Sequence, residues 1–545
     1  MSVVIALQNM VAANGNTSPK RLVDGIGVNA VNLDNRQSDF RGLRAASLVH
    51  TLTGYGSQQD AIYRMGRDAK SDTQYWLAFD ADVDFARSML ASDPLERTYG
   101  TGGSFTEPSY TDNTFLTSPP YPTPNGSGFI GYLLGIPAPA SGMTASVAVA
   151  GSGATEARVY VSTYIRANGD ESAPSQPVSI SCQGGSTVNL LTLPAAPGSA
   201  AAIGISHRRF YVSKGGDFQE CSTEVLAATS SLDAGARGAV LQTGGSTTKY
   251  AWLPPPTDAI GIIELWGGMH GMHNDKGYAT CVPFKPHAWP LEYRRIVPDK
   301  IVGTAKWGQN WLLATSGLPR VVMGTTPLAM VDSPINFRQA CVSKRSVRSV
   351  GHGVCWASAS GLCYHGQKGT MIITERLLTK AQWQAMIPES IIGAAWGEWY
   401  VGFYDDGAKK GFMINTHRPD GVIWLTQGAY AVFEDPISDN LYLLDSGNTI
   451  KKWDAGSVAS ATFKSRVFRH PNGACPGAAR IVATTYPVTF SMWADGVLKV
   501  NAQSVTTDDP IRLPGGYWAE EFQVEISGTG PVEGVFVAEE IADLP

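Results

Sequence analysis

Five glycines recur at a nearly constant spacing in the second half of this 545-residue chain, each behind an apolar, strand-like run. The five are Gly277, Gly317, Gly361, Gly407 and Gly447. Successive members lie 40, 44, 46 and 40 residues apart, which indicates an internal repeat. In the run WYVGFYDDGAKKGFMIN from Trp399, an Asp-Gly pair supplies the positive backbone angles of a hairpin turn between two strands. Because units of about 40 to 50 residues are typical of the four-stranded blades of β-propellers, the repeat predicts this architecture.

The composition agrees with short strands joined by turns. The chain has 59 glycines and 33 prolines, which favour turns over helices. Its length exceeds what a single core normally organises, so we expect about three or four domains. The formal net charge of −5 argues against general nucleic-acid binding, because such binding needs a basic surface that displaces counterions from phosphates.

The cysteines and the amino terminus indicate the cellular compartment in which the chain folds. Seven cysteines are scattered along the chain, as in proteins that fold in a reducing cytosol, and no disulfide is required. A hairpin turn centred near Ala359 would place Cys355 and Cys363 directly across from each other. The amino-terminal run SVVIALQNMVAANG lacks a basic segment and a small-residue cleavage site, and no apolar stretch reaches about 18 residues. We therefore expect neither a secretory signal of that kind nor a membrane span.

The strand patterns divide the chain into four predicted parts, which are 1–100, 101–255, 256–460 and 461–545. The first part supplies N-terminal strands that complete the propeller, with 44–86 as one more blade. The second is an inserted platform with a Pro-rich arm and a fibronectin type III-like sandwich over 155–224. The third holds the other blades, and the fourth is a C-terminal β-sandwich with a hairpin turn at Asp495 and Gly496. The predicted fold class is mainly β, a β-propeller of about six blades with a fibronectin type III-like insertion and a C-terminal β-sandwich.

Two sets of histidine and cysteine residues could bind a metal by residue type, but we expect neither set to do so. His270 and His273 lie on a predicted strand, where their odd separation points the side chains to opposite faces. The second set is His352, Cys355, Cys363 and His365, and its spacing fits no familiar zinc site. The catalytic motifs GxSxG, P-loop and HExxH are missing from the sequence, and no GxGxxG stands at a strand-to-helix junction. We therefore predict no catalytic residue, no metal and no cofactor, and one short helix in LTKAQWQAMI from Leu378.

Taken in order, several segments resemble the tail nozzle family of short-tailed bacteriophages, also called tail tubular protein B. Each segment by itself is a loose β pattern, whereas the order and the combined spacing are specific and cover nearly the whole chain. The segments are NAVNLDNRQSDFRGLR from Asn29, QYWLAFDADVDFARSMLASDPLERTYGTGG from Gln74, YVSTYIRANGDESAPS from Tyr160, MHNDKGYATCVPFKPHAWP from Met272, WLLATSGLPRVVMGTTPLAM from Trp311, RSVRSVGHGVCWASASGLCYHG from Arg345 and IRLPGGYWAEEFQVEISGTGPVEGVFVAEE from Ile511.

The resemblance implies a virion structural protein and not an enzyme. It implies a homo-hexamer that forms a tube below the portal and its adaptor ring, the head-to-tail connector, through which the genome leaves the capsid. Further implied partners are tail fibres or other tail proteins, and DNA that passes through the lumen without specific binding. The implied location is the virion tail, after synthesis in the host cytoplasm. This chain is shorter than the larger members of the family, so their tip or fibre-docking insertions are expected to be missing.

Two groups of residues follow as candidates for this role. The Pro- and Tyr-rich arm over 106–124, together with the sandwich after it, is expected to contact the adaptor or neighbouring copies. Its candidate contact residues are Tyr110, Phe115 and Tyr121. The second group is acidic and is expected to face the channel, because an acidic wall does not trap phosphates. Its members are Asp405, Asp406, Glu539 and Glu540.

Two other classes of protein stay open on the sequence alone. A host-glycan-binding tail adhesin would expose aromatic residues such as Trp396 and Trp399 at a pocket. A sialidase-like propeller would need arginine and carboxylate side chains that converge at the centre of the ring. The segment DSGNT from Asp445 is similar to part of the Asp-box turn of sialidases, but Ile450 stands where that box has an aromatic residue.

Overall fold

The computed structural model describes residues 3–36, 39–65, 72–73, 75–91, 93–103, 105–115, 131–140, 142–241 and 251–545. The chain divides into two compact units. Unit 1 comprises Met1–Ala78, Val302–Val321 and Pro334–Pro545, and unit 2 comprises Phe79–Ile301 and Val322–Ser333. Both units are built mainly of antiparallel strands, so the protein is mainly β, as predicted.

The repeat consists of consecutive four-stranded segments of the kind that form propeller blades. The first blade is Ile260–Glu264, His270–His273, Gly277–Thr280 and Arg294–Ile296. The third is Arg348–Ser349, Gly353–Ala357, Leu362–Gly366 and Gly369–Ile372. The fourth is Ile392–Trp396, Trp399–Asp405, Lys409–Asn415 and Ile423–Leu425. The second is Ile301–Trp307, Asn310–Thr315, Arg320–Met323 and Val331–Pro334, and the division between the units passes through these strands.

Each of the five periodic glycines lies at or beside the turn between the second and third strands of its blade. Gly407 and Gly447 use the left-handed backbone region, with φ of 105° and 68°, as the Asp-Gly and Ser-Gly pairs predict. Gly361 is needed for a different reason, because a Cβ there would lie 2.4 Å from the Ile372 and Thr374 side chains. The predicted repeat is therefore confirmed as a repeat of hairpins.

The fifth blade is completed by a strand from the N-terminal region. Its own strands are Ala431–Asp435, Asn440–Asp445 and Thr449–Lys452, and Ser47–Thr51 pairs antiparallel with the last of these. An N-terminal strand thus supplies the fourth strand of this sheet, while the role of residues 1–100 as a whole in the propeller stays a prediction. The prediction that 44–86 forms one blade is wrong, because Ala61–Arg64 and Trp76–Phe79 make a separate two-stranded sheet. Short polar segments separate these strands, and their composition does not say which strands are partners.

Unit 2 contains the predicted sandwich. Its three-stranded sheet has the order Thr144–Val149, Thr187–Leu191, Ser231–Asp233. Its four-stranded sheet has the order Val178–Gln183, Thr155–Arg166, Ile205–Ser213, Gln219–Val225. Buried side chains such as Tyr160, Val188 and Phe210 form the core of this sandwich. A separate antiparallel sheet precedes it, with strands Val83–Arg87, Thr98–Gly102, Ser109–Thr111 and Tyr132–Leu133.

The C-terminal sandwich in unit 1 also uses N-terminal strands. One sheet has the order Val3–Leu7, Val532–Ala538, Ala478–Ala483, Ile511–Arg512. The other begins with the strands of the fourth blade and continues through Asn29–Val31, Ala461–Lys464, Ala519–Gly528, Val488–Ala494 and Val497–Val505, and Phe468–Ala474 also pairs with Ala519–Gly528. Asp495 and Gly496, with φ of 49° and 77°, make the predicted hairpin turn. The strand Asn29–Val31 therefore joins a blade to the sandwich in one sheet.

A few short elements complete the described chain. Ala12–Ala13 and Ile26–Gly27 pair in parallel. The predicted helix is present at Lys380–Ala385, where Thr379 and Gln382 form a capping box. The other helical segments are Ala200–Ile203, Leu291–Tyr293, Pro327–Ala329, Lys344–Ser346, Pro388–Ser390, Ser446–Asn448 and Ile541–Asp543. None of the helices in the described residues has the length and apolar character of a membrane span.

The predicted register of the third blade's hairpin is wrong by one residue. Cys355 is opposite Tyr364, and Cys363 is opposite Trp356, because the turn is centred between Ala359 and Ser360. The two thiols consequently belong to different cores on the two faces of the sheet. All seven cysteines are free, and burial raises the pKa of Cys363 to about 12, so this thiol stays protonated.

Candidate functional site

A cavity of about 720 Å³ opens in unit 1 beside the first strands of the third, fourth and fifth blades. A cavity of this volume lies in the range of small-molecule sites. Its wall combines indole rings, carboxylates and one guanidinium group with small and apolar residues. The lining residues are Arg36, Val350, Gly351, Ala395, Trp396, Gly397, Glu398, Trp399, Glu434, Asp435, Pro436, Asp439, Asn440 and Leu441.

The two tryptophans are fixed by a tight hairpin in the fourth blade. Trp396 and Trp399 are the last pair before the turn, so they are directly opposite each other and share one face of the sheet. Gly397, with φ of 57°, and Glu398 form the two-residue turn. Both indoles are half-buried. The hairpin therefore presents two adjacent aromatic rings to the cavity.

Arg36 covers one of these rings and is itself neutralised. Its guanidinium carbon lies 4.8 Å from the centre of the Trp396 ring, which is a cation–π distance. Its Nη2 and Nη1 atoms each lie 2.7 Å from a carboxylate, of Asp34 and Asp454 respectively. Trp453 packs edge-on against Trp396 at 6.0 Å. Among the described residues, no ring or cation stacks on Trp399.

Glu434 stands where the first strands of the three blades meet. Its Oε1 accepts a hydrogen bond of 2.8 Å from the Ala395 N–H and lies 3.9 Å from the Arg348 Nε. Arg348 Nε donates at 2.7 Å to the Gly393 carbonyl. Water reaches 40% of the Glu434 side chain, yet the concave wall surrounds it. This enclosure raises the pKa of Glu434, and the positive charge of Arg348 and the Ala395 N–H act in the opposite direction.

The neighbouring Asp435 is held differently. Its carboxylate lies 2.8 Å from the Nη1 of Arg64, and both side chains are 1% exposed. It also accepts hydrogen bonds from the Ile437 N–H and from the Ser438 hydroxyl. Asp435 is therefore a structural anchor in the wall and not a group that is open to a ligand.

The remaining carboxylates face the opening of the cavity. Glu398 in the hairpin turn and Asp439 in the turn of the fifth blade are exposed. Within the described part of the chain, neither forms a salt bridge. Together with Glu434 they give the cavity an acidic character, since Arg36 and Asp435 are matched by partners outside it.

No metal site accompanies this cavity in the part of the chain that the structure describes. No group of three or more His, Cys, Asp or Glu side chains is close enough there to hold an ion. His270 and His273 lie on one strand, as predicted, and their ring nitrogens contact the Arg87 and Asn274 carbonyl oxygens.

The predicted contact residues of the arm fall in unit 2 or outside the described residues. Tyr110 is 2% exposed, with its ring 5.1 Å from the Arg166 guanidinium carbon. Phe115 is half-buried and packs edge-on against Tyr132 at 5.3 Å. Tyr121 lies outside the described residues. The Tyr110 ring thus stabilises unit 2 itself, and its predicted contact with another chain stays a prediction.

The predicted channel-facing acids lie in unit 1 and differ in their neutralisation. Asp405 and Asp406 pair with Lys409 and Lys410 at 3.2 and 3.0 Å, and these hydrogen bonds lower the pKa of both carboxyls. The hairpin is therefore close to neutral, although the Asp-Asp sequence suggests an acidic loop. Glu539 is half-buried and Glu540 is exposed at the end of the last strand. The orientation of these residues toward a channel stays a prediction.

Comparison with known proteins finds only distant structural likenesses. No family model and no curated protein sequence matches the chain. Similar solved structures include AztD from Citrobacter koseri, at 14% identity over 69% of this chain and 99% of AztD, with a TM-score of 0.26. Others are the CNH domain of AfRom2 (10% identity, 71% and 99% coverage, TM-score 0.25) and BBS1N in complex with ARL6DN (10%, 50% and 89%, TM-score 0.27). At these TM-scores the likeness carries no argument about this chain.

The sequence identifies part of the cavity and misses the rest. Trp396 and Trp399 are the residues that an adhesin would expose at a pocket, and the structure places both at the cavity; whether it binds a glycan stays a prediction. Glu434 and Asp439 are missed. The one signal for Glu434 is the Glu-Asp pair at the end of the apolar strand AVFED. This pattern does not distinguish the exposed Glu434 from the buried Asp435.

Proposed function

We propose that this chain is a wall subunit of the tail nozzle of a short-tailed bacteriophage, a ring of copies through which the genome leaves the capsid. The proposal rests on the ordered resemblance of segments along nearly the whole chain. A mainly β, propeller-type fold with an inserted sandwich is compatible with it. The alternatives of a glycan-binding adhesin and of a sialidase-like enzyme are outcomes of the test below.

Among the structural observations, the pairing of the two ends of the chain gives the strongest support for a wall that resists mechanical force. Three N-terminal segments, Val3–Leu7, Asn29–Val31 and Ser47–Thr51, pair with strands from the last quarter of the chain. Pulling either end therefore loads rows of backbone hydrogen bonds that lie within a sheet, and not a single exposed tail. A wall subunit of a conduit under internal pressure benefits from this arrangement.

The charges of unit 1 are also compatible with a DNA conduit. Asp405 and Asp406 are neutralised by Lys409 and Lys410, and no described cation forms a salt bridge with Glu539 or Glu540. A neutral or acidic lining does not hold phosphates by counterion release, so DNA would slide along it. We propose that the C-terminal pair approaches the lumen.

Cryo-electron microscopy of native particles that contain this chain tests the proposal. The expected result is a homo-hexameric ring around an axial channel, directly below the adaptor ring. Threefold copies at the periphery of the tail would contradict it and would favour an adhesin. A particle lacking residues 116–124 should fail to assemble its tail while the purified chain keeps its circular dichroism spectrum; normal assembly would remove the arm from the proposal.

A further inference from the structure

We propose that the cavity between the third, fourth and fifth blades binds a small organic cation, an extended alkyl amine with two or more ammonium groups. This inference does not depend on the nozzle proposal, because it concerns the chemistry of unit 1 as a single chain. It rests on the charge of the wall, on the arrangement of the indoles and on the volume.

The charge of the wall is unbalanced in one direction. Arg36 is matched by Asp34 and Asp454, and Asp435 is matched by Arg64, so these groups contribute little net charge. Three lining carboxylates remain, Glu398, Glu434 and Asp439, and Arg348, at 3.9 Å from Glu434, is the described cation that forms a salt bridge with any of them. A cleft lined by charges of one sign concentrates their field. An anionic or neutral ligand would leave it uncompensated.

The indoles add a second attraction for the same kind of ligand. An aromatic face attracts a cation, and tryptophan does so most strongly among the side chains. The protein already uses this interaction at Trp396, where Arg36 lies 4.8 Å from the ring centre. Trp399 is directly opposite on the same face and has no such cover among the described residues. A ligand ammonium group over Trp399 would extend this row of cation–π contacts.

The positions of the carboxylates favour an extended ligand over a compact one. Glu398 lies in the hairpin turn of the fourth blade, whereas Asp439 lies in the turn between the first two strands of the fifth blade. Glu434 lies on the first strand of the fifth blade, with 40% of its side chain exposed. A chain of methylene groups with ammonium ends can reach from Glu434 to one of the carboxylates in the two turns. The volume of about 720 Å³ holds such a molecule with water to spare.

Isothermal titration calorimetry of the full chain with spermidine tests the inference, with tryptophan fluorescence as a second readout. One molecule should bind per chain, with affinity that falls as salt is raised. Glu398→Gln, in an exposed turn where folding is not at risk, and Glu434→Gln should each weaken binding about fivefold. Trp399→Leu should weaken it by a similar factor. Glu520→Gln, which removes an equally exposed carboxylate from the C-terminal sandwich, is the matched control and should change nothing.

Other ligands decide the outcome. Binding of a short lysine peptide in competition with spermidine would support the ammonium site, because both ligands carry alkyl ammonium groups. Binding of neutral oligosaccharides that is unaffected by Glu434→Gln would overturn the inference and favour a glycan site. Spermidine heats that are equal in the wild type and in Glu398→Gln would also overturn it, because they would reflect non-specific charge screening. A hexameric ring in particles is neither required nor excluded by any of these results.

Discussion

Unit 1 and unit 2 differ in the side chains that they bury. In unit 1, segments from the two ends of the chain share sheets, and the core around them is apolar, with Ile5, Val535 and Phe490 among its members. Unit 1 buries the ion pair of Arg64 and Asp435. Unit 2 buries more guanidinium groups, since Arg158, Arg166 and Arg208 are each 2 to 3% exposed. Their partners are the Asp233 carboxylate, backbone carbonyls and aromatic rings. The stability of unit 1 should therefore depend on strand pairing, and that of unit 2 on charge and pH.

The sharpest test of this difference uses two adjacent residues of the first strand. Ile5 is 1% exposed, whereas Ala6 on the same strand faces solvent. Ile5→Asp puts a carboxylate into the apolar core and should lower the free energy of unfolding of unit 1 by roughly 5 kcal/mol. Ala6→Asp should change it by less than about 1 kcal/mol. Segment-resolved hydrogen exchange should show faster exchange in Val532–Ala538 for Ile5→Asp only; equal protection in both variants would contradict the role of this strand.

Arg166 provides the corresponding test in unit 2. Its Nε donates at 2.7 Å to the Ile203 carbonyl, and its Nη2 donates to the carbonyls of Leu133, Leu134 and Gly135. Arg166→Met keeps the length of the side chain but leaves these carbonyl acceptors without their donor, and it removes the positive charge that lies 3.5 Å from Asp170. We expect a loss of about 3 to 5 kcal/mol, measured by urea denaturation.

The matched control is Arg209→Met on a neighbouring strand. Arg209 is 30% exposed and its carboxylate partners lie 3.4 to 3.7 Å away, so its removal should cost about 1 kcal/mol or less. If both variants unfold at the same urea concentration, buried guanidinium groups do not dominate unit 2.

The next largest difference between the units should be in how their stability depends on pH. Burial lowers the pKa of His287 from its usual 6.5 to about 4, although the charge of Asp170 acts in the opposite direction. The unfolded chain therefore binds a proton between pH 6.5 and 4 that the folded unit does not bind. The stability contribution is fully present above pH 6.5 and is lost as the pH falls toward 4, by up to about 3 kcal/mol.

Amide hydrogen exchange measures this effect. The rates in 131–180 and in 461–545 are compared at pH 7.5 and pH 5, after correction for the intrinsic rates of exchange. His287→Leu should remove the pH dependence of the first segment over this range. Persistence of the full dependence in that variant would assign it to another group, and an equal dependence in both segments would erase the contrast between the units.

The smallest effect concerns the turns of the repeat. Gly447 has φ of 68° and open space where an added Cβ would lie, so Gly447→Ala tests backbone strain alone. We expect a loss of about 1 kcal/mol in unit 1. Gly56→Ala, where a Cβ also meets nothing within 4 Å and φ is ordinary, should be neutral or slightly stabilising. Thermal melting of both variants checks this, and equal shifts would mean that the positive φ is not the reason for the glycine.

The local features of the fold followed from the sequence. The hairpin turns at the periodic glycines, the Asp495-Gly496 turn and the short helix in LTKAQWQAMI each depend on a few neighbouring residues, and all three are present. The hairpin of Cys355 and Cys363 failed because a four-residue turn and a three-residue turn fit the same letters. A shift of one residue there moves the thiols to opposite faces.

The long-range pairings and most of the cavity did not follow from the sequence. An apolar run such as Val3–Leu7 indicates a strand, but nothing in it names Val532–Ala538 as its partner. Glu434 looks like any charged residue near a strand end, and only the convergence of three blades places it in the wall of a cavity. The two tryptophans were named in advance as aromatic residues that an adhesin would expose, but their pairing across a hairpin turn is known only from the structure.

The pairing of Val3–Leu7 with Val532–Ala538 also sets the order of events during synthesis. At roughly 20 residues per second, a ribosome needs about half a minute between making the first strand and making its partner. The N-terminal strand therefore spends that interval without its final neighbour, exposed to other nascent chains or to a chaperone. A chain that is cut short near its end leaves this strand unsatisfied, so incomplete products would be recognisable as misfolded before they could enter an assembly.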